Sequence, residues 1–472
     1  MTATFIRSPE VAAIRQRIDH PVIDADGHLI EYLPLLFDFV REVAGAGVQE
    51  RLRHFNRDRF GADGGFLPVR VFHGLPAENT LDRMTATLPQ LMYQRLDEFG
   101  IDFALLYPSF GLTLLALPDD EARTAACHAY NRYVAEVYRD VRDRLEPVAL
   151  IPTFTPHEAE AEIRYAVGEL GLKTVVMSGT VPRRVRPDGT EYPWVDTLGH
   201  ESVFDYDSVW STCCELRVAP AFHGIGYGWG SRVSSCNYVY NHLGSFAASQ
   251  EAACRSLIMG GVPRRFPELH LTFLEGGVTW ACQLYADLLG HFEKRSGSAV
   301  RAFDDATLDL PLAAMLYNEY ATGAMALDGA RFAKVMERAA AEARAFDASA
   351  EVDDFAESGI RAAQDIVHIF TRQLSFGCEA DDRMNGLAFD RHALPYGARL
   401  AALFASDIGH WDVADARDVL VEAWELVESG NIDESDFADF TGWNVARTLT
   451  AANPSFFAGT ALQGITVPRA RQ

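Results

Sequence analysis

The 472-residue sequence has few cysteines and no long apolar run. Its seven cysteines include no CxxC pair, which argues against a cysteine-based zinc site, and their odd number fits free thiols in a reducing cytoplasm. No segment approaches the roughly 18 uncharged apolar residues that cross a bilayer. The N-terminus lacks the apolar core and small-residue cleavage site of a secretory signal. We therefore expect a cytoplasmic globular protein with no membrane partner.

Basic residues are scarce relative to acidic ones. Lys and Arg number 42 against 66 Asp and Glu, so the chain carries a net charge of −24. A chain this acidic repels a phosphate backbone, which argues against nucleic-acid binding. The hydrophobic share of 48% is that of a folded chain with a substantial core. Its length suits about three domains of roughly 150 residues, or one large enzyme barrel with insertions.

Short apolar or β-branched runs alternate with helical stretches, a pattern typical of a parallel α/β fold. We predict eight strands, at 21–28, 103–109, 145–153, 173–179, 218–224, 269–275, 373–378 and 400–407. The first is followed by no Gly-rich phosphate turn, which an open doubly wound sheet would be expected to show; DADGH stands there instead. We therefore predict a single (β/α)8 TIM barrel over residues 1–472 with helical insertions.

Three regions exceed what a barrel needs. Residues 32–100 are predicted to be mostly helical with a Gly-rich turn at 61–65, residues 180–217 to be a Pro- and aromatic-rich loop, and residues 285–370 to be helical. These insertions could form a lid or a substrate wall. Outer packing, or an interface in a homo-oligomer, is the alternative.

Acidic or imidazole side chains end five of the eight predicted strands. Barrel active sites are built at the C-terminal ends of the strands, so this pattern predicts a metal site. An Asp after a strand can equally be a helix N-cap, and a buried His is often only a core residue, so the joint pattern carries the prediction. The predicted ligands are Asp26, His28, His223, Glu275, Glu379 and Asp407, and the candidate catalytic residues are His410, Asp382 and His242.

Basic and aromatic side chains are candidates for substrate binding. Arg183, Arg184 and Arg186 follow the predicted fourth strand and could attract a CoA phosphate, although a solvated loop that pairs with nearby acids is the alternative. Aromatic residues are frequent after His223, and some of them could line an apolar pocket. They are Tyr227, Trp229, Tyr238, Tyr240 and Phe246.

Taken together, these segments resemble the amidohydrolase-related family of metal-dependent barrels. The matching parts are DADGH, the lone His of the fifth strand, LEGGVTW, SDIGH and the final DESDFADFTGWNVARTL. The family typically has His-x-His on its first strand, where this chain has Asp26-Gly27-His28, as some decarboxylase branches do. Glu275 replaces the sixth-strand His of many hydrolases. No Lys ends the fourth strand, which argues against a carbamylated-lysine dinuclear zinc centre.

Within that family, NHLGSF, GGVPRRFPEL, FLEGGVTWAC, GCEADD and SDIGHWDV resemble the barrel-fold nonheme diiron monooxygenases, which include a diterpenoid hydroxylase of platensimycin and platencin biosynthesis. This resemblance implies two iron ions, O2, an external electron donor and an apolar terpenoid, steroid or acyl substrate, free or CoA-linked. Oxygen-rich mixed ligand sets suit iron or manganese. The alternative is a mononuclear Zn or Mn hydrolase or decarboxylase in which Asp407 or His410 acts as general acid/base. A catalytically inactive metal-binding scaffold is a third reading.

Overall fold

The computed structural model describes residues 5–54, 74–186, 188–224, 226, 229–297, 299–303, 307–326, 329–347 and 353–471. The chain forms two compact units, one of Met1–Tyr285 with Val367–Gln472 and one of Ala286–Ile366. The Gly-rich turn predicted at 61–65 lies outside the described residues. Across the described ranges, no helix combines the length and the apolar character needed to cross a membrane.

In its described residues, the first unit contains eleven strands, of which all but two lie in parallel sheets. In order they are β1 (Ile23–Leu29), β2 (Phe103–Pro108), β3 (Leu145–Pro147), β4 (Ala149–Leu150), β5 (Val175–Met177), β6 (Val181–Val185), β7 (Glu191–Asp196), β8 (Pro220–Phe222), β9 (Leu271–Phe273), β10 (Leu374–Glu379) and β11 (Ala401–Ala405). One sheet has the order β1-β2-β3 and another the order β11-β10-β9-β8-β5-β4, while β6 and β7 form an antiparallel hairpin. Only Val148 separates β3 from β4, so the two parallel sheets continue into one another.

Backbone hydrogen bonds beyond the end of β11 close the ring of strands. The amide of Asp407 donates to the carbonyl of Asp26 over 3.0 Å, and the amide of His28 donates to the carbonyl of Ile408 over 3.0 Å. With β3 and β4 counted as one position, eight parallel positions surround a common axis. The predicted (β/α)8 barrel is confirmed, and its closure places Asp26, His28 and Asp407 on neighbouring strand ends.

Helices follow most of the barrel strands. They are α1 (Pro9–Arg17), α2 (Leu33–Arg53), α3 (Thr80–Thr87), α4 (Pro89–Phe99), α5 (Gly111–Leu114), α6 (Asp120–Val137), α7 (Pro156–Ile163), α8 (Asp207–Leu216), α9 (Tyr238–His242), α10 (Ser245–Met259), α11 (Val262–Arg265), α12 (Thr279–Arg295), α13 (Leu310–Tyr320), α14 (Gly329–Asp347), α15 (Ala363–His368), α16 (Val419–Glu428), α17 (Glu434–Ala438) and α18 (Asn444–Ala452). Helices α13 and α14 belong to the second unit, where the ring of Tyr317 stacks on that of Phe332 with centroids 4.0 Å apart.

Local sequence signals explain the helix that leads to β5. Thr155 caps α7 in a capping box with Glu158, and Pro156 occupies the first turn, where its missing N–H costs no hydrogen bond. The helix continues as π-helical turns over Arg164–Glu169, and Gly171 then takes a left-handed conformation with φ 68°. Glycine adopts this conformation without the steric cost that a Cβ would bring. The chain is thereby returned to the next strand.

Aromatic rings behind three neighbouring strands hold the strand ends in register. Phe222 of β8 stacks on Phe273 of β9 with centroids 5.1 Å apart, and Phe273 stacks on Phe376 of β10 at 6.2 Å. Trp280 of α12 meets Phe273 edge to face at 5.8 Å. Such buried aromatic contacts contribute area burial and about 0.5–1.5 kcal/mol per pair beyond it. Each of the three phenylalanines shortly precedes a predicted ligand in the sequence, namely His223, Glu275 or Glu379.

The segment at 180–217 differs from the predicted loop. It contains the β6–β7 hairpin followed by α8, and the hairpin turns at Gly189, whose φ is 84°. The sequence RPDGT around this turn is a hairpin signal of the Pro-Asp-Gly kind. Pro and aromatic content alone suggested irregular structure, whereas the chain pairs as two antiparallel strands on either side of this turn.

Candidate metal centre

A line of buried carboxylates and imidazoles crosses the C-terminal end of the barrel. Oε2 of Glu275 lies 2.9 Å from Nε2 of His223, and that nitrogen lies 3.8 Å from Oδ2 of Asp26. Oδ1 of Asp26 is 3.6 Å from Nε2 of His28, and that nitrogen is 3.3 Å from Oδ1 of Asp407. These side chains come from β1 and from the ends of β8, β9 and β11. The fold therefore brings five of the six predicted ligands into one continuous cluster.

The cluster continues into a second imidazole beyond Asp407. Nδ1 of His410 lies 2.6 Å from Oδ1 of Asp407, and Nε2 of His410 lies 3.3 Å from Oγ of Ser109. The rings of His410 and His28 are 3.7 Å apart between centroids. A carboxylate at Nδ1 orients an imidazole and leaves proton exchange to Nε2. The arrangement places a candidate proton carrier directly beside a candidate ligand.

Glu379 joins the cluster from the end of β10. Burial raises the pKa of its carboxyl well above the usual range, and the charges of Glu275, Asp412 and Asp26 raise it further. The pKa of Asp407 is raised by burial and then by Glu275 and Glu379. Several carboxylates therefore repel one another in a site with little water, and each retains its proton to higher pH than it would in solution.

Nearby negative charges favour the charged form of His223, which directly follows β8. Burial disfavours the charged form of His223, but Glu275 and Asp26 outweigh burial, and the pKa of His223 is raised. The pKa of Asp26 is raised mainly by burial, although His223 opposes the rise. The two residues thus stabilise each other's charged forms.

The backbone is strained at two of the predicted ligands. Glu275 has φ 56° and Asp407 has φ 48°, in the left-handed region that side chains with a Cβ rarely adopt. Such conformations cost on the order of 1–3 kcal/mol each and persist where surrounding contacts enforce them, often at functional sites. Both residues place a carboxylate in the cluster.

The cluster fits a divalent cation. Two groups of three buried side chains, Asp26 with His28 and His223, and His28 with Asp407 and His410, each bring their ligand atoms within 4.8 Å of one another. Oδ1 of Asp26 is buried with no hydrogen-bond partner among the described residues. Buried carboxylate oxygens ordinarily bind a donor or a metal, and a cation would favour the ionised form that burial opposes.

The two remaining candidate catalytic residues lie at the edge of the cluster. Asp382 caps the 3-10 turn Arg383–Phe389 by accepting from the amide of Met384, and its Oδ2 is 3.3 Å from the point where a Cβ on Gly277 would stand. His242 packs among aromatic rings, 5.7 Å from Phe246, whose ring is 5.6 Å from that of His223. One side chain therefore separates His242 from the nearest predicted ligand.

The three predicted substrate-binding arginines lie on the β6–β7 hairpin. Arg183 is bound within the protein, where it donates to Asp196, to the carbonyl of Phe154 and to the hydroxyl of Tyr206. Arg184 and Arg186 are exposed. The Arg183 guanidinium is therefore occupied by contacts within the protein. Any substrate binding by the three arginines rests on Arg184 and Arg186.

The sequence interpretation missed three side chains that belong to the site. Tyr107 ends β2 with its ring 6.3 Å from His28 and 6.0 Å from His223, and burial raises its pKa well above the usual range. Asp412 contributes to the raised pKa of Asp407. Asp24 lies two residues before Asp26, and its pKa is raised to about 6 by burial. Period-2 alternation along IDADGH was the available signal for Asp24, and strand-end position was that for Tyr107.

Comparisons with known proteins agree with this architecture. Solved structures with the same fold include an amidohydrolase from Mycobacterium avium subsp. paratuberculosis K-10, with 17% identity, a TM-score of 0.53 and coverage of 92% of this chain and 100% of that chain. A 2,6-dihydroxybenzoate decarboxylase from Rhizobium matches with 14% identity, a TM-score of 0.48 and coverage of 91% and 99%. A dihydroxybenzoic acid decarboxylase from Polaromonas sp. JS666, solved with bound manganese and an inhibitor, matches with 13% identity, a TM-score of 0.47 and coverage of 91% and 97%.

At 17% identity the Mycobacterium amidohydrolase shows the fold alone. The protein-family model described as amidohydrolase matches residues 23–321, which is more than half of the chain. The comparisons confirm the resemblance to the amidohydrolase-related family and give no support to the diiron branch within it. The chain has the fold of a metal-dependent enzyme, and it belongs to the amidohydrolase family.

Proposed function

We propose that the protein is a metal-dependent hydrolase or decarboxylase that acts on a small molecule at the C-terminal end of the barrel. The observation that carries this proposal is the convergence of Asp26, His28, His223 and Asp407 at separations of 3.3–3.8 Å along the line of ligand atoms. Three or four protein ligands are enough for one catalytic ion with open positions. The family match favours this chemistry over the predicted monooxygenase.

Each side chain has a definite part in this proposal. Asp26, His28, His223 and Asp407 would hold a divalent ion, which would supply Lewis acidity toward a substrate carboxylate, a carbonyl or a water. Oδ1 of Asp407 lies against Nδ1 of His410, which leaves Nε2 as the atom that exchanges a proton with the substrate. Burial and neighbouring carboxylates raise the pKa of Glu379, and we assign it the part of a second proton donor.

The second candidate is the nonheme diiron monooxygenase, and the excess of carboxylates favours it. Glu275 and Glu379 bring the set to four carboxylates and two imidazoles, the same ligand inventory as in the di-iron carboxylate proteins built on four-helix bundles. Two divalent ions cancel the charge of four carboxylates, whereas one leaves two negative charges buried. This candidate requires two iron ions, O2, an external electron donor and an apolar terpenoid, steroid or acyl substrate, free or CoA-linked.

Glu379 distinguishes the two candidates, because it is a proton donor in the first and a metal ligand in the second. The experiment is elemental analysis of wild-type and Glu379→Gln protein, made in medium with equal iron, zinc and manganese and purified without oxygen. Asp381→Asn is the matched control, since it removes an exposed carboxylate two residues away.

The first candidate predicts about one ion per chain in all three proteins, no spectral change on exposure to O2, and turnover of some member of a panel of aryl acids, amides and esters that Glu379→Gln loses. About two irons per wild-type chain, falling to about one in Glu379→Gln, with a spectral change in O2, would replace it by the second candidate. A wild-type chain that binds none of the three metals would refute both.

A further inference from the structure

A buried carboxylate behind the cluster ties the first and last barrel strands together. Oδ1 of Asp24 accepts hydrogen bonds from the amide of Asp26 over 3.2 Å and from the amide of Ser406 over 3.0 Å. Oδ2 accepts from the hydroxyl of Ser406 over 2.5 Å. The side chain is 1% exposed, so these contacts are made without competition from water.

The atoms that Asp24 binds belong to Asp26 and Ser406. These two residues set the positions of candidate ligands on either side of the seam, the line along which the first and last barrel strands meet. Asp26 is itself a candidate ligand, and Ser406 immediately precedes Asp407. Oγ of Ser406 also accepts from the amide of Ile408 over 3.2 Å, and the amide of Asp407 donates to the carbonyl of Asp26, so both peptide units flanking Asp407 are held. Asp407 has φ 48°, a conformation that needs such restraint.

We propose that Asp24 is a positioning residue, which fixes the carboxylates of Asp26 and Asp407 at the separation a divalent cation requires. This inference rests on the metal binding in the proposed function, under either candidate. Hydrogen bonds behind ligands orient them, and their loss typically costs about 10- to 100-fold in metal affinity. A carboxylate that served only to hold the fold together would affect stability and leave the affinity of the folded protein unchanged.

The test is calorimetric titration of full-length, chelator-stripped protein with Mn2+, beside urea unfolding of the same samples. Asp24→Ala removes all three contacts, and we expect its Mn2+ Kd to be about 10- to 100-fold weaker. Asp24→Asn keeps the acceptor for both amides and lets the Ser406 hydroxyl turn to accept, so we expect a Kd within about threefold of wild type. Loss in Asp24→Asn equal to that in Asp24→Ala would show that charge acts, rather than position, and would overturn the proposal.

Asn131→Ala is the matched control for stability. Asn131 is a buried side chain that binds the amide and the carbonyl of Leu150 in β4, on a strand that carries no candidate ligand. We expect a comparable loss of stability and an unchanged Mn2+ Kd. An equal weakening of Mn2+ binding in Asn131→Ala would mean that general destabilisation explains the effect and would overturn the proposal.

Ser406→Ala decides the matter if Asp24→Ala does not fold. It removes the hydroxyl contacts to Asp24 and to the amide of Ile408, and it keeps the amide contact to Asp24. A weaker Kd supports the positioning role, and an unchanged Kd overturns it. A wild-type chain that binds no Mn2+, Fe2+ or Zn2+ would instead refute the proposed function and this inference together, whereas wild-type binding with equal affinity in Asp24→Ala refutes the inference alone.

Discussion

Gly27 leaves the space that the Asp24 carboxylate occupies, so Gly27→Ala tests the seam from the opposite side. A Cβ at Gly27 would stand 2.5 Å from Oδ2 of Asp24 and 3.3 Å from a methyl carbon of Leu106. Ordinary contact begins near 3.4 Å, so the carboxylate would have to retreat by about 0.9 Å. The Asp24 carboxylate can move this far only if its hydrogen bonds to Ser406 lengthen or break.

The expected cost follows from these contacts. Overpacking a tight site costs about 1–3 kcal/mol, and one weakened buried hydrogen bond adds about 1 kcal/mol. We therefore expect Gly27→Ala to lower the free energy of unfolding by about 2–4 kcal/mol and to weaken Mn2+ binding by about tenfold or more. The assays are urea unfolding followed by tryptophan fluorescence, and Mn2+ titration of the folded protein.

Gly47→Ala is the control for this substitution. Gly47 is an exposed residue of α2, and apart from the helix's own backbone no atom of the described residues lies within 4 Å of an added Cβ. Alanine in a helix is favoured over glycine, so this variant should gain about 0.5–1 kcal/mol with unchanged Mn2+ affinity. Wild-type stability and wild-type Mn2+ affinity in Gly27→Ala would refute the reasoning about the seam.

Three further predictions concern other parts of the barrel. Asp407→Ala should abolish metal binding and activity while the circular dichroism spectrum stays that of the folded barrel; retention of metal with full activity would remove Asp407 from the site. Arg95→Met should cost about 3–5 kcal/mol in urea unfolding, because it leaves the buried Asp82 and Glu98 carboxylates without their ion-pair partner, and a loss under 1 kcal/mol would contradict this. Burial lowers the pKa of His20 below 6.5, so the unfolded chain binds more protons, and stability should fall as pH drops through 6.5; His20→Gln should flatten that part of the profile, and an unchanged profile would contradict the assignment.

Much of the fold was predictable from local pattern. Runs such as FALLYP and AALFA became β2 and β11 because their residues suit strands buried on both faces, and the alternation with helices required parallel pairing. The same periodicity placed acidic and imidazole residues at the ends of strands. It also identified Asp26 and His28 as a pair, because residues two positions apart in a strand point to the same face. A sequence pattern of this kind determines which side chains are available to a site.

The surroundings of Arg183 were not predictable in the same way. The side chain of Arg183 is bound by Asp196, Tyr206 and the carbonyl of Phe154, and these contacts exist only once the hairpin has folded onto the barrel. The sequence of an arginine cluster is the same whether its guanidinium groups face a substrate or pack against the protein. Only packing distinguishes the two.

The candidate metal cluster shows the division most clearly. By itself the sequence determined the types of the candidate ligands and their positions at strand ends, because these follow from local periodicity. The tertiary structure alone decided their separations, since Asp24 and Ser406 are 382 residues apart in the chain and meet only when the barrel closes. It also decided their pKa values, because burial and the proximity of other carboxylates are properties of the closed site. Local pattern cannot encode a distance between residues that only ring closure brings together.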